Sequence, residues 1–197
     1  MLISRESLEI RRKLFHILFG IAIASSLLVL AKEQVLLILI LFLIFGIASS
    51  ILVYFRIRLP LLSFFLNKFD RAEHLNNFPG KGAFYYVTGC FFTILLFPVK
   101  IAVASILTLA FGDSIASLVG KYYGRTKHPL NPKKILEGTI AGIAAATLSV
   151  VLFVPFAKAL FATSVAMIVE ALELKYFNID DNLSIPLVTG AILLLLS

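Results

Sequence analysis

Seven uninterrupted apolar runs constrain this chain more than any other feature. They cover residues 14–31, 35–55, 83–97, 101–119, 140–156, 159–174 and 185–196. Inside a bilayer every backbone N–H and C=O must find its partner within the protein, so a spanning chain is either helical or a closed barrel. Barrel strands alternate lipid-facing and lumen-facing residues, and these runs do not alternate. The chain therefore reads as an all-α, polytopic transmembrane helix bundle of about seven spans. The third and last runs fall short of the ~20 residues that a full crossing takes. Composition agrees: 60% of residues are hydrophobic, against roughly 45–50% in soluble domains, and the mean hydropathy is +0.99. There is no internal repeat or low-complexity stretch, so residues 1–197 are expected to form a single integral membrane domain.

Charge sets the expected orientation. With the N-terminus inside, the segments 1–13, 56–82, 120–139 and 175–184 share one side and carry fifteen of the eighteen Lys and Arg residues. Lys32, Lys100 and Lys158 are the three on the other side. Such a bias over short loops predicts a cytoplasmic N-terminus and puts the chemistry on the cytoplasmic face. The net charge of +7 suits anionic lipid or an anionic substrate. Basic and aromatic residues do not interleave on a soluble platform, so nucleic acid is not expected as a partner. The one cysteine, Cys90, excludes an intrachain disulfide and reads as a small buried hydrophobe. The basic-then-apolar N-terminus lacks a small-residue cleavage site, so the first span is expected to be retained.

Within the fourth run, "FGDSIASLVGKYYGR" holds Asp113, which costs about 2.5–3.5 kcal/mol at a helix centre in a bilayer. Helical spacing puts Asp113, Ser117, Lys121 and Gly124 on one broad stripe, with Ala116 and Gly120 beside it. Small residues at this spacing admit either a neighbouring helix or a ligand. The loop that follows, "KYYGRTKHPLNPKKILEGTIAG", is broken by Pro129 and Pro132 and leads into a helix near Ile135 or Leu136. Its Arg125, Lys133 and Lys134 have the chemistry to hold phosphates, and Glu137 suits the start of that helix.

Acidic residues gather at the end of the sixth run, where Glu170 and Glu173 are three apart and Asp180 and Asp181 adjoin. Mg²⁺ typically takes one or two carboxylates plus substrate phosphates, and Asp113 with the Asp180–Asp181 pair would supply them. The competing reading is a solvated acidic turn with Asn182 capping the next helix. In "RRKLFHILFG", Arg12, His16 and Gly20 share one face, and His16 either contacts substrate or bonds a neighbouring helix. "FPGKGAFYY" offers Lys81 as a phosphate contact but lacks the strand and spacing of a P-loop.

Together these blocks resemble the CTP-dependent lipid kinases (dolichol kinase, phytol kinase and the yeast-type diacylglycerol kinase) and their relatives the phosphatidate cytidylyltransferases. The resemblance is carried by "RRKLFHILFG", "GDSIASLVGKYYGR", "NPKKILEGT" and "IDDNLSIPLVTG", four blocks in one order through most of the chain. Cytidylyltransferases carry a Lys-Asp pair and then Pro-Gly-His-Gly-Gly. Here Asp180-Asp181-Asn182 stands in that place, and Pro186 is followed by "LVTG" without a histidine, which resembles the kinase branch.

The resemblance implies CTP and Mg²⁺, with Asp113 and Asp181 at metal positions, Asp180 beside them, and Lys133, Lys134 and Glu137 in the nucleotide block. Arg12, Lys81, Ser117, Lys121, Arg125 and Asn182 complete the expected nucleotide contacts. The implied reaction moves the γ-phosphoryl of CTP to the hydroxyl of a long-chain lipid alcohol of polyprenol or dolichol type. His16, Glu137 and Glu170 remain alternative groups for handling the hydroxyl proton, beside Asp113 in the catalytic set. A CDP-lipid synthase is the nearest alternative. A small ion-coupled transporter is another, but it needs a polar stripe to the outer leaflet, and outward of Asp113 only Ser105 and Thr108 are polar. The expected location is the cell membrane in a prokaryote or the endoplasmic reticulum in a eukaryote, with the site facing the cytoplasm. Homo-oligomer formation stays open.

Overall fold

Each apolar run satisfies its own backbone by coiling into a helix. The computed structural model describes residues 5–55, 78–172 and 180–197. Among these are seven helices: α1 (Arg5–Val29), α2 (Lys32–Tyr54), α3 (Lys81–Leu96), α4 (Val99–Tyr123), α5 (Leu136–Val150), α6 (Phe156–Leu172) and α7 (Asp181–Leu195). The Leu8–Val29, Lys32–Val53 and Val99–Tyr123 stretches are long and apolar enough to cross a membrane. The other four helices have 15–17 residues, so at 1.5 Å per residue they rise about 23–26 Å, short of the ~30 Å hydrocarbon core. Arg56, Arg58, Lys68, Arg71, Glu173 and Lys175 lie outside the described residues.

Helices follow one another antiparallel, and the two ends of the bundle differ. At one end, Lys32 Nζ donates to the carbonyls of Leu95 (3.3 Å) and Phe97 (3.1 Å), and Lys158 Nζ donates to the Leu196 carbonyl. These two lysines cap the C-terminal ends of α3 and α7, where lone carbonyls and the helix dipole favour a cation. Asp113, the basic segment and the acidic turn are toward the other end.

The central helix is α4, in which Ala102, Val103, Ala104, Ile106, Leu109 and Ala110 have no exposed surface. The opposite case is α2, whose Leu37, Leu41, Ile44 and Phe45 point outward. A helix apolar all round, with such side chains outside, belongs against lipid. On α4 the hydroxyls of Ser105 and Thr108 donate to their own helix, to the Ile101 and Ala104 carbonyls (2.8 and 2.9 Å). They line no polar path outward from Asp113.

Two local features depart from a plain bundle. Residues Thr108–Asp113 of α4 form a π-helical turn, a rare geometry that recurs at functional sites. Between α4 and α5 the basic segment forms an antiparallel ribbon, β1 (Lys127–His128) and β2 (Asn131–Ile135), rather than an irregular loop. His128 is buried under the turn, with Nδ1 accepting from Leu130 N (3.2 Å).

The small-residue stripe on α4 admits a helix. α5 lies against it so closely that a Cβ at Gly138 would come 2.6 Å from the Ala116 carbonyl oxygen. At Gly142 an added Cβ would meet Ala116 Cβ at 2.8 Å. Only backbone without side chain fits at that spacing.

Candidate active site

The π turn delivers Asp113, 7% exposed, into the bundle opposite α1. There Lys13 Nζ donates to Asp113 Oδ2 at 2.7 Å, with both side chains buried. Ser114 Oγ donates to the Lys13 carbonyl (3.3 Å), and Ser117 Oγ reaches Asp113 Oδ1 at 3.5 Å. His16, one turn further along α1, has Nδ1 3.9 Å from Asp113 Oδ2, beyond hydrogen-bond reach. Its ring packs against Tyr86 at 4.7 Å between centroids, and the Tyr86 hydroxyl donates to the His16 carbonyl (2.8 Å).

A second ion cluster joins β2, α6 and α7. Lys134 Nζ donates to Glu170 Oε1 and is 3.6 Å from Asp181 Oδ2. Partial burial works against the charge on Lys134, but the carboxylates of Glu170 and Asp181 outweigh it and hold the pKa above the ordinary lysine value. The ribbon that carries Lys134 is fixed at both ends. Asn131 Nδ2 donates to the Ala171 carbonyl (3.0 Å), and Thr126 N donates to both Glu137 oxygens (3.0 and 3.2 Å).

A pocket of about 270 Å³ opens between α4, β2, α5 and α6, lined by Ser117, Lys121, Lys133, Lys134, Thr139 and Glu170. Of the residues expected from sequence, Asp113, His16 and Ser117 meet at one point. Lys121, Lys133, Lys134 and Glu170 meet at the adjoining pocket, and Asp181 joins through Lys134.

The others are elsewhere. Arg12 pairs with Glu9 on its own helix (2.8 Å), and Lys81 stands over the Tyr85 ring at the start of α3 (5.8 Å). Arg125 is exposed beyond the end of α4. Glu137 secures the ribbon. Asp180, not Asn182, caps α7, accepting from Asn182 N (3.0 Å) and Asn182 Nδ2 (2.7 Å).

Lys13 is the site residue that sequence reasoning misses. Four-residue steps from His16 select Arg12, whereas the three-residue step selects Lys13, and both spacings lie on one helix face. A buried carboxylate needs a cation close by, and in "RRK" only tertiary packing decides which cation turns inward.

Among the described residues no three His, Cys, Asp or Glu side chains stand close enough to cage a metal ion. The donor set is of the sparser kind that Mg²⁺ uses, one or two carboxylates completed by phosphate oxygens. Asp113 and Asp181 fit that role, and Asp180 is committed to its cap. Both carboxylates stand beside lysines, which anionic oxygens of a ligand have the chemistry to take over.

Comparison with known proteins gives three informative relatives. A Methanocaldococcus jannaschii protein without an assigned function is 31% identical over 94% of this chain and 92% of its own length. Phytol kinase 1 of the Arabidopsis thaliana chloroplast is 30% identical over 60% of this chain, and this chain spans 43% of it. CTP-dependent diacylglycerol kinase 1 of Schizosaccharomyces pombe is 26% identical over 59% of this chain and 60% of its own length. No family model matches the chain, and no solved structure does.

Proposed function

We propose that this chain, which is similar to phytol kinases and to a CTP-dependent diacylglycerol kinase, moves the γ-phosphoryl group of CTP to the hydroxyl of a membrane-embedded, long-chain lipid alcohol of polyprenol type. The observation that carries this reading is the buried Lys13–Asp113 pair beside a pocket lined by three lysines. Phosphoryl transfer asks little covalent chemistry of a protein. It needs the triphosphate held, its charge neutralised and the acceptor aligned.

Lys121 and Lys133 are exposed and meet the incoming triphosphate first. Lys134 then exchanges Glu170 for a phosphate oxygen. Asp113 and Asp181 would hold a divalent cation, which supplies charge neutralisation on the phosphates. Ser117 orients Asp113, and Glu137 keeps the ribbon and its lysines in register. In this reading the N-terminus is cytoplasmic, so the nucleotide reaches the pocket from the cytoplasm.

The test is label transfer with purified protein in detergent, using γ-labelled and α-labelled CTP and a panel of polyprenol, geranylgeraniol, phytol and diacylglycerol. Gamma label in a lipid monophosphate, with CDP released, is the expected result. Alpha label in the lipid with pyrophosphate released would make it a CDP-lipid synthase instead.

A further inference from the structure

On the far side of His16 from the lysine pocket, α1, α2 and α3 enclose an apolar cleft of about 250 Å³. Phe19, Phe42, Phe45, Phe84 and Val87 form its walls, and His16 closes its inner end. A second hollow shares Phe42 and Phe45 and continues over Ile38 and Leu41 on the outward face of α2. An apolar path thus runs from the lipid-facing surface to a point beside Asp113.

The polar groups along this path are nearly all satisfied. Ser50 Oγ donates to the Pro79 carbonyl (2.7 Å), and the Tyr86 hydroxyl donates to the His16 carbonyl. Among the described residues, two buried side-chain atoms have no hydrogen-bond partner, and only His16 Nδ1 belongs to the cleft. A buried nitrogen without a partner costs roughly 1–3 kcal/mol, so its place at the junction of an apolar path and a carboxylate asks for a ligand. Nδ1 and Asp113 Oδ2, 3.9 Å apart, are too far apart to bond each other. A hydroxyl at the inner end of the cleft has the one proton to donate to Nδ1.

We infer that this cleft seats the chain of a single-chain, isoprenoid-like alcohol, with its hydroxyl donating to His16 Nδ1 and its tail leaving over Phe42 and Phe45. The inference rests on the phosphoryl-transfer reading above and adds the acceptor site and the base. In the transfer step the hydroxyl oxygen bonds to the γ-phosphorus. The bond from that phosphorus to the β,γ-bridging oxygen breaks, and this oxygen leaves on CDP with the electron pair. The hydroxyl proton passes to His16 Nδ1. Of the three candidate bases, His16 is the one facing the acceptor. Glu137 is held by Thr126 N and Glu170 by Lys134.

Gly46 gives a clean test, since it lines the cleft and a Cβ there meets nothing within 4 Å. Gly46→Phe fills the cleft, so KM for geranylgeraniol rises about tenfold or more and preference shifts to shorter alcohols, while KM for CTP stays within about twofold. His16→Ala lowers kcat about 100-fold, while KM for CTP stays within about twofold. If the wild-type protein phosphorylates an alcohol but Gly46→Phe changes neither alcohol KM nor chain preference, the cleft is overturned and the reaction stands. Photo-crosslinking with a diazirine-tailed geranylgeraniol reads the cleft without turnover. Label on α2 and α3 cleft residues supports the site whatever the reaction proves to be, and label confined to other surfaces overturns it.

Discussion

Lys13 and Asp113, a hundred residues apart, meet at 2.7 Å inside the bundle and join α1 to the π turn of α4. Breaking a buried pair by removing one partner costs about 3–5 kcal/mol, because the remaining charge stays desolvated, whereas removing both is far milder. Lys13→Met is therefore expected to unfold earlier in detergent than Lys13→Met with Asp113→Asn, and both variants lose activity. Equal melting of the single and double variants would show that the pair adds nothing to stability.

Lys134 gives an alkaline signature. Its pKa in the folded protein is raised above the ordinary 10.5. The stability it contributes is therefore whole below 10.5 and fades as pH climbs through the higher folded value. Thermal unfolding of the wild type should exceed that of Lys134→Met at neutral pH, and the gap should narrow only in the strongly alkaline range. A gap that narrows toward acid pH instead would point to the carboxylate partners dominating. The same variant is expected to raise KM for CTP more than KM for the alcohol.

The α4–α5 seam admits no side chain at Gly138, where even a Cβ would press on the Ala116 carbonyl. Gly138→Ala is expected to destabilise by about 1–3 kcal/mol through overpacking, despite alanine's better helix propensity. A melting temperature equal to or above wild type would contradict the closeness of the two helices.

Sidedness is checked by labelling. In a Cys90→Ala background, Lys158→Cys is expected to react with an impermeant maleimide from outside intact cells, and Lys127→Cys only after permeabilisation. The reverse pattern would invert the orientation and move the nucleotide pocket to the outer face. Cys90 itself is buried within α3 and is replaced only to remove background.

Much of the site was legible in sequence because its chemistry is expensive in a membrane. Asp113, Lys134, Glu170 and Asp181 stand out as charges beside apolar runs; the structure joins the last three and sets Asp113 in a cluster with Lys13. Less legible were residues whose contacts are set by a nearby partner. Sequence spacing selected Arg12, which pairs with Glu9, rather than Lys13, and Asp180 caps α7 through Oδ1. The small residues of α4 serve two neighbours: α5 packs against Ala116, and Ala116, Ser117 and Gly120 also line the lysine pocket. The ribbon at Lys127–Ile135 escaped the reading because Pro129 and Pro132 break helix without specifying what replaces it.

By itself the amino-acid sequence determined that the chain is helical and apolar enough to sit in a membrane, since those properties follow from run length and local composition. Which cation meets Asp113, the π turn that aims that carboxylate, and the apolar cleft behind His16 were decided only by tertiary structure. Each depends on residues far apart in the chain reaching contact distance. Periodicity reports the face a side chain occupies, and packing alone decides what stands opposite it.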